Sequence, residues 1–408
     1  MSGTGSISAA ELFLLLVAAS TVVAILTRRM AFLPYSVGLV VLGLAISALN
    51  LPIELEIGPE LLLTVLLPGL VFEAAYRTDV RVLWPSSAAV AFLAVPGVLI
   101  TAAIVAAVVD AVTGVGFVLA FLVGTMLAAT DPAAVIAVVS HLRAPPRLIT
   151  LIEAESLFND GTGIVIFALA LTAVSVQVEP GGMLVGLLTT VAVSSLIGAA
   201  IGFVASRGVI RVEDHLVELM ISVVAAYGSY LRALRLGQSG LIATVVCGLV
   251  FGSYGRRVGI TERGAEAMDT VWEFGAYLLT TLVFLLIGLA ISVPQLREAA
   301  LPIVAALAAL LVSRGVVVYL LLGGGSRLAA RLGWAKPMPT GWLHVIAWSG
   351  LRGAVSVALA LSLPADLPHR DLLQGIVFGC VLLTLVLHGS TADLLVRRLG
   401  LAQHTARE

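Results

Sequence analysis

Glu153-Ala154-Glu155-Ser156-Leu157-Phe158-Asn159-Asp160-Gly161-Thr162-Gly163 is the stretch on which the reading of this chain turns. It puts three acids inside an apolar segment, residues 148–176, that otherwise reads as a membrane-spanning helix. A carboxylate in hydrocarbon is costly unless it pairs, protonates or holds a cation. Two further acids sit the same way: Glu73, and Asp131 in Ala129-Thr130-Asp131-Pro132. Such groups fit a path for a small cation or a proton.

Composition sets the class. The chain is 60% hydrophobic and 12% charged, with a mean hydropathy of +1.11. A soluble protein carries about twice that charged fraction. The chain is therefore expected to be an all-α polytopic membrane protein whose first partner is the lipid bilayer. A net charge of −1 gives no basis for a nucleic-acid partner. Cys247 and Cys380 both lie in apolar segments and form no disulfide framework. Segment 7–26 has no basic leader and no clear cleavage site, so it does not read as a signal peptide.

Thirteen spans of roughly bilayer length follow from hydropathy: 7–26, 32–49, 59–75, 83–109, 116–139, 148–176, 183–205, 216–231, 239–254, 271–291, 299–322, 341–361 and 372–395. Spans 4 and 6 are long enough to contain a kink or an interfacial turn. With the N-terminus outside, 17 of the 23 Lys and Arg fall on the cytoplasmic side, Arg143, Lys336 and Arg407 among them. Only Arg232, Arg235, Arg297 and Arg370 fall on the other side. The positive-inside rule then sets N-out and C-in, in the cell (inner) membrane. About a dozen residues follow the last span, so no cytosolic regulatory domain is expected.

Two spans contain weak points. Thr130-Asp131-Pro132 interrupts span 5, because proline removes a backbone donor and disfavours helix just before it. Gly350-Leu351-Arg352-Gly353-Ala354 interrupts span 12. Their offset of seven spans makes them run in opposite directions. That is the pattern of an inverted repeat: spans 1–6 (about 7–176) and 8–13 (about 216–395), with span 7 (183–205) as connector. Transporters built this way bind substrate where two interrupted helices cross near the midplane. Asp131 can offset the amide-rich ends of the half-helices, and Arg352 the carbonyl-rich ends.

Depth brings the acids together. At about 1.5 Å per residue, Asp160 lies roughly 18 Å into span 6, Asp131 about 22 Å into span 5 and Glu73 about 21 Å into span 3. Ser156 and Asp160 are four apart and share one stripe; Glu155 and Asn159 share the next. Hard cations take several oxygen ligands. Asp160, Ser156, the Thr130 carbonyl, Asp131 and Glu73 supply them for Na+, and Asn159 bridges to the broken backbone at Thr130. Structural roles stand beside these. Asp160 also reads as a hydrogen-bonded structural acid, Asp131 as a cap of the helix break, and Glu73 as the partner of an unseen group. Glu153 reads as an access-funnel or structural residue. Arg314, in span 11, needs a partner, and Glu155 is the best candidate for a buried ion pair. His344 and His388 read as packed rather than functional.

The run Glu155–Gly163, Thr130-Asp131-Pro132, Leu67-Pro68 through Ala75, Trp272-Glu273-Phe274 through Gly288 and Ser349–Ala354 resemble, in the same order, the NhaP-type sodium/proton antiporters. These belong to the monovalent cation:proton antiporter superfamily that includes the eukaryotic sodium/proton exchangers. The resemblance implies a homodimer, a 13-span fold and a core that slides against a dimerisation domain. It implies that Asp160, Ser156, Asp131, Thr130 and Glu73 hold the ion, that Asn159 ties span 6 to the break, and that Glu155 and Arg314 pair. The Asn159-Asp160 pair resembles the electroneutral branch.

The expected activity is therefore antiport, not enzymatic catalysis: Na+ or Li+ for H+, one for one, with Asp160 holding either the cation or the proton. No cofactor is expected beyond these substrate ions. A K+/H+ antiporter is the alternative within transport. An intramembrane aspartyl protease using Asp131 and Asp160 is a distant one, since the Gly-x-Gly-Asp loop of that class is absent around both. A passive cation channel is another, and uphill transport would exclude it.

Overall fold

The computed structural model describes residues 9–29, 35–48, 62–141, 144–175, 180–212, 214–333 and 337–399. Arg143, Lys336, Arg407 and the first residues of span 59–75 lie outside them. The described residues form helices and connecting turns, with no strand among them. Among the described residues, eight helices are long and apolar enough to cross a membrane, the longest being Val80–Thr113, Pro146–Val174, Glu262–Ala290 and Ala300–Arg331. Shorter apolar helices cover Val17–Thr27, Tyr35–Ser47 and Phe117–Met126.

Local chemistry sets where these helices begin and end. The Asp214 carboxylate accepts from Leu216 N at 2.8 Å, the Ser239 hydroxyl from Ile242 N at 3.3 Å and the Thr261 hydroxyl from Gly264 N at 3.0 Å. Each caps an orphan donor at a helix start. Gly114, at φ +67°, closes helix Val98–Thr113 in the left-handed conformation that disfavours a Cβ. Within Val80–Thr113 the helix widens to a π-turn over Leu93–Gly97, where Pro96 removes a donor. Span 4 thus carries a local distortion. Helix Pro146–Ser175 runs unbroken over its 30 residues, with no turn interrupting it.

Outward faces are apolar. Leu188, Leu196 and Val204 on Pro180–Val209 are exposed, as are Leu301, Val304 and Val312 on Ala300–Gly315. In water such surface would drive association; in a bilayer it matches the solvent. Inward faces allow close backbone approach. Gly43 and Gly288 meet where helices Tyr35–Ala48 and Glu262–Ala290 pack, and a Cβ on Gly43 would stand 2.9 Å from the Gly288 Cα.

Two stretches interrupt this helical order. Helix Phe117–Met126 stops, and Ala133–His141 begins beyond Thr130-Asp131-Pro132. Helix Thr340–Trp348 stops, and Ala354–Leu361 begins beyond Gly350–Gly353. The interruptions touch: Asp131 N donates to Leu351 O at 2.9 Å. Open backbone at membrane depth is tolerated where it is buried in protein or lines a cavity. Here it does both.

Candidate cation site

Arg352 holds the two interruptions together. It is 2% exposed, and its guanidinium donates to the carbonyls of Ala128 (3.2 Å) and Ala129 (3.1 Å). Those carbonyls lie past the end of helix Phe117–Met126, where the helical ladder leaves acceptors unused. A cation there answers both the missing hydrogen bonds and the negative end of the half-helix. Arg352 N is itself satisfied by the Thr384 hydroxyl at 3.2 Å. Across the same junction, a Cβ on Gly353 would run into the Asp131 carboxylate, so only glycine permits this approach.

Helix Pro146–Ser175 supplies the other half of the junction. Asn159 is 2% exposed and clamps Thr130 twice. Its Nδ2 donates to Thr130 Oγ1 at 2.7 Å, and its Oδ1 accepts from Thr130 N at 3.3 Å. One turn earlier, Ser156 Oγ donates to Thr130 O at 2.5 Å. The broken backbone is thereby pinned to an intact helix. The same bond commits the Ser156 proton and leaves its oxygen lone pairs available.

Glu155 faces away from this clamp. Arg314 Nη1 pairs with Glu155 Oε1, and Arg314 Nη2 donates to Glu155 Oε2 at 3.0 Å and to Ile346 O at 2.6 Å. The carboxylate is 2% exposed. Both its oxygens are used, so this is a fixed ion pair joining helix Ala300–Gly315 to helix Pro146–Ser175.

Asp160 differs. Its Oδ1 is buried and has no hydrogen-bond partner. It lines a cavity of about 540 Å³ together with Glu73, Asp131, Thr130, Ser156 and Glu153. The five residues expected to hold an ion therefore share one cavity. Four acids and one base, Arg77, line it, which focuses negative potential on a cation. Glu73 accepts from Arg77 at 3.1 Å, and Arg77 also lies 3.6 Å from Glu273, so Glu73 is partly neutralised. The opposite wall is Ala276, Thr280, Val283 and Phe284 of helix Glu262–Ala290.

Ser356 and Glu218 are buried polar groups that the sequence reading missed. Ser356 lines the cavity, fully buried, four residues after Arg352; no sequence signal set it apart from other serines in apolar helices. Glu218 is fully buried outside the cavity and accepts from Thr261 Oγ1 at 3.3 Å. It sits in the first turn of its helix, where an acid reads as a surface residue. His344 meets the Tyr319 hydroxyl at 2.8 Å, and His388 packs edge-on against Trp348.

Known proteins share this sequence and shape. Residues 15–398 match the family described as sodium/hydrogen exchanger, transmembrane. The chain is 36% identical to the Na+/H+ antiporter ApNhaP of Aphanothece halophytica, over 96% of this chain and 75% of that protein. It is 32% identical to the Na+/H+ antiporter NhaH of Halobacillus aidingensis, over 96% of this chain and 98% of that one. Its fold is similar to the sodium proton antiporter MjNhaP1 of Methanocaldococcus jannaschii, with a TM-score of 0.78 at 22% identity, covering 96% and 98% of the two chains.

Proposed function

The chain belongs to the transmembrane sodium/hydrogen exchanger family, and from that premise we propose that it exchanges Na+, or Li+, for H+ by alternate occupancy of Asp160. One observation carries the mechanism: Asp160 Oδ1 is buried without a hydrogen-bond partner in a cavity rich in oxygen donors. A buried, unbonded carboxylate oxygen is costly unless a proton or a cation satisfies it. Na+ takes Asp160, the Ser156 oxygen, the Thr130 carbonyl, Asp131 and Glu73. Protonation removes the Asp160 charge, and the cation leaves. Neither state tolerates both ligands, and this exclusion couples the two fluxes.

A single alternating acid gives the loaded site the same charge in both directions. Exchange is then electroneutral, one for one. An uncompensated charge would feel about 2.3 kcal/mol per 100 mV. Asn159 supports this reading, because it fills the neighbouring position with a neutral group already committed to Thr130. Glu155–Arg314 is the structural pair, and Arg352 compensates the half-helix carbonyls.

The same reading extends to architecture. Thirteen spans form two inverted repeats, about 7–176 and 216–395, joined by 183–205. Spans 5 and 12 cross at their interruptions, supported by the bonds of Asp131 N to Leu351 O and of Arg352 to Ala128 O and Ala129 O. The protein works as a homodimer in the cell (inner) membrane, N-terminus outside and C-terminus cytoplasmic. The core slides against a dimerisation domain.

The test is transport in proteoliposomes with an imposed pH gradient. Na+ and Li+ dissipate the gradient with or without a clamped potential, and K+ does so far less. Collapse by K+ alone would change the substrate. Strong voltage dependence would require a second proton-carrying carboxylate.

A further inference from the structure

We propose that Ser356 is a further ligand to the transported cation, supplied by the second interrupted helix; the proposal rests on the Asp160 reading above. Hydroxyls buried in apolar helices normally donate back to a carbonyl three or four residues earlier. Ser206, Ser222, Ser229, Ser313 and Ser349 all do so, at 2.6–2.9 Å. Ser356 does not. Its side chain is fully buried, and its Oγ has no hydrogen-bond partner. Ser253, itself half-buried, is the other serine among the described residues whose buried Oγ lacks a partner, and it lies away from the cavity lining.

Geometry gives the reason. Ser356 sits in the first turn of helix Ala354–Leu361, so the residues three and four back, Gly353 and Arg352, precede the helix. Neither carbonyl accepts from its hydroxyl. The hydroxyl instead lines the cavity that holds Asp160 and its partnerless Oδ1. Two buried, unsatisfied oxygens on one cavity are what a desolvated hard cation needs and what an apolar site lacks. Ser156 and Thr130 bring oxygens from the first interruption and the intact helix; Ser356 brings one from the second. Cation binding thereby ties both interrupted helices together, whereas a proton on Asp160 recruits only one residue.

Three variants test this: Ser356→Ala, Ser356→Thr and Ser356→Cys. Half-saturating Na+ is measured by exchange and, independently, by Na+-dependent thermal stabilisation of the purified protein. The loss of one polar ligand raises both by roughly tenfold in Ser356→Ala, with the Na+-free melting temperature unchanged. Ser356→Thr restores affinity. Ser356→Cys keeps the shape but offers a soft sulfur to a hard ion, so it weakens affinity as alanine does. It also stands in should the alanine variant fail to fold. Unchanged Na+ affinity in the alanine or cysteine variant would overturn the proposal. Asp160→Asn separates the two levels: exchange retained there sinks the underlying reading, whereas its loss alongside normal Ser356 variants sinks only this one.

Discussion

Glu155 and Asp160 are two buried carboxylates five residues apart on one unbroken helix, and they are treated oppositely. Glu155 has both oxygens on Arg314. Asp160 Oδ1 has no hydrogen-bond partner. Five residues is about 1.4 turns, so the two side chains leave the helix on different faces. One face meets helix Ala300–Gly315 and is paired with Arg314; the other meets a cavity and has an unbonded oxygen. Burial alone therefore does not distinguish the two acids; the number of partners does.

Breaking the Asp160 side of this contrast has the largest expected effect. Asp160→Asn keeps the shape and removes the titrating charge, so Na+-driven proton movement in proteoliposomes falls to the level of empty vesicles. The Glu155 side gives a different phenotype. Arg314→Ala leaves a buried carboxylate alone and costs on the order of 3–5 kcal/mol, read as a lowered melting temperature. Glu155→Ala added to Arg314→Ala recovers most of that loss, because no orphaned charge remains. Recovery of transport by an equivalent second mutation in the Asp160→Asn background would erase the distinction.

Smaller effects sharpen it. Asn159→Ala removes two bonds to Thr130 and leaves a buried N–H and a buried hydroxyl without these partners. It costs about 2 kcal/mol in stability and raises half-saturating Na+. Glu73→Gln removes an acid that already shares Arg77, so it raises half-saturating Na+ only about threefold, with exchange retained. For pH the sign follows from competition. Where Asp160 is mostly protonated, each unit fall in pH raises half-saturating Na+ about tenfold, and the dependence flattens once the acid is ionised. In Glu155→Gln that slope is unchanged, as measured by exchange across a pH series.

The two carboxylates were unequally legible in the sequence. Asp160 stood out as an acid in an apolar run, and its i,i+4 relation to Ser156 followed from register. Arg314 stood out likewise, and a buried arginine demands an acid, so Glu155 could be nominated across 159 residues. The interruptions were legible because proline and glycine break helices at known places. Ser356 was not, since a serine in an apolar helix is ordinary until its hydroxyl is seen without an acceptor. Glu218 hid for the opposite reason, an acid in a first helical turn being what a solvated helix end also shows. Glu73 was read only as the partner of an unseen group, and Arg77, four residues on, proved to be that partner; the cavity wall of Ala276, Thr280, Val283 and Phe284 was not legible, because wall contacts depend on tertiary packing.

The central claim is that Asp160 holds either a proton or a cation. The most direct measurement is proton release on adding Na+ to purified protein in weakly buffered solution, at a pH where the acid is protonated. The account predicts close to one proton released per Na+ bound in the native protein, and none in Asp160→Asn. Na+ binding without proton release, or equal release from Asp160→Asn, would contradict it.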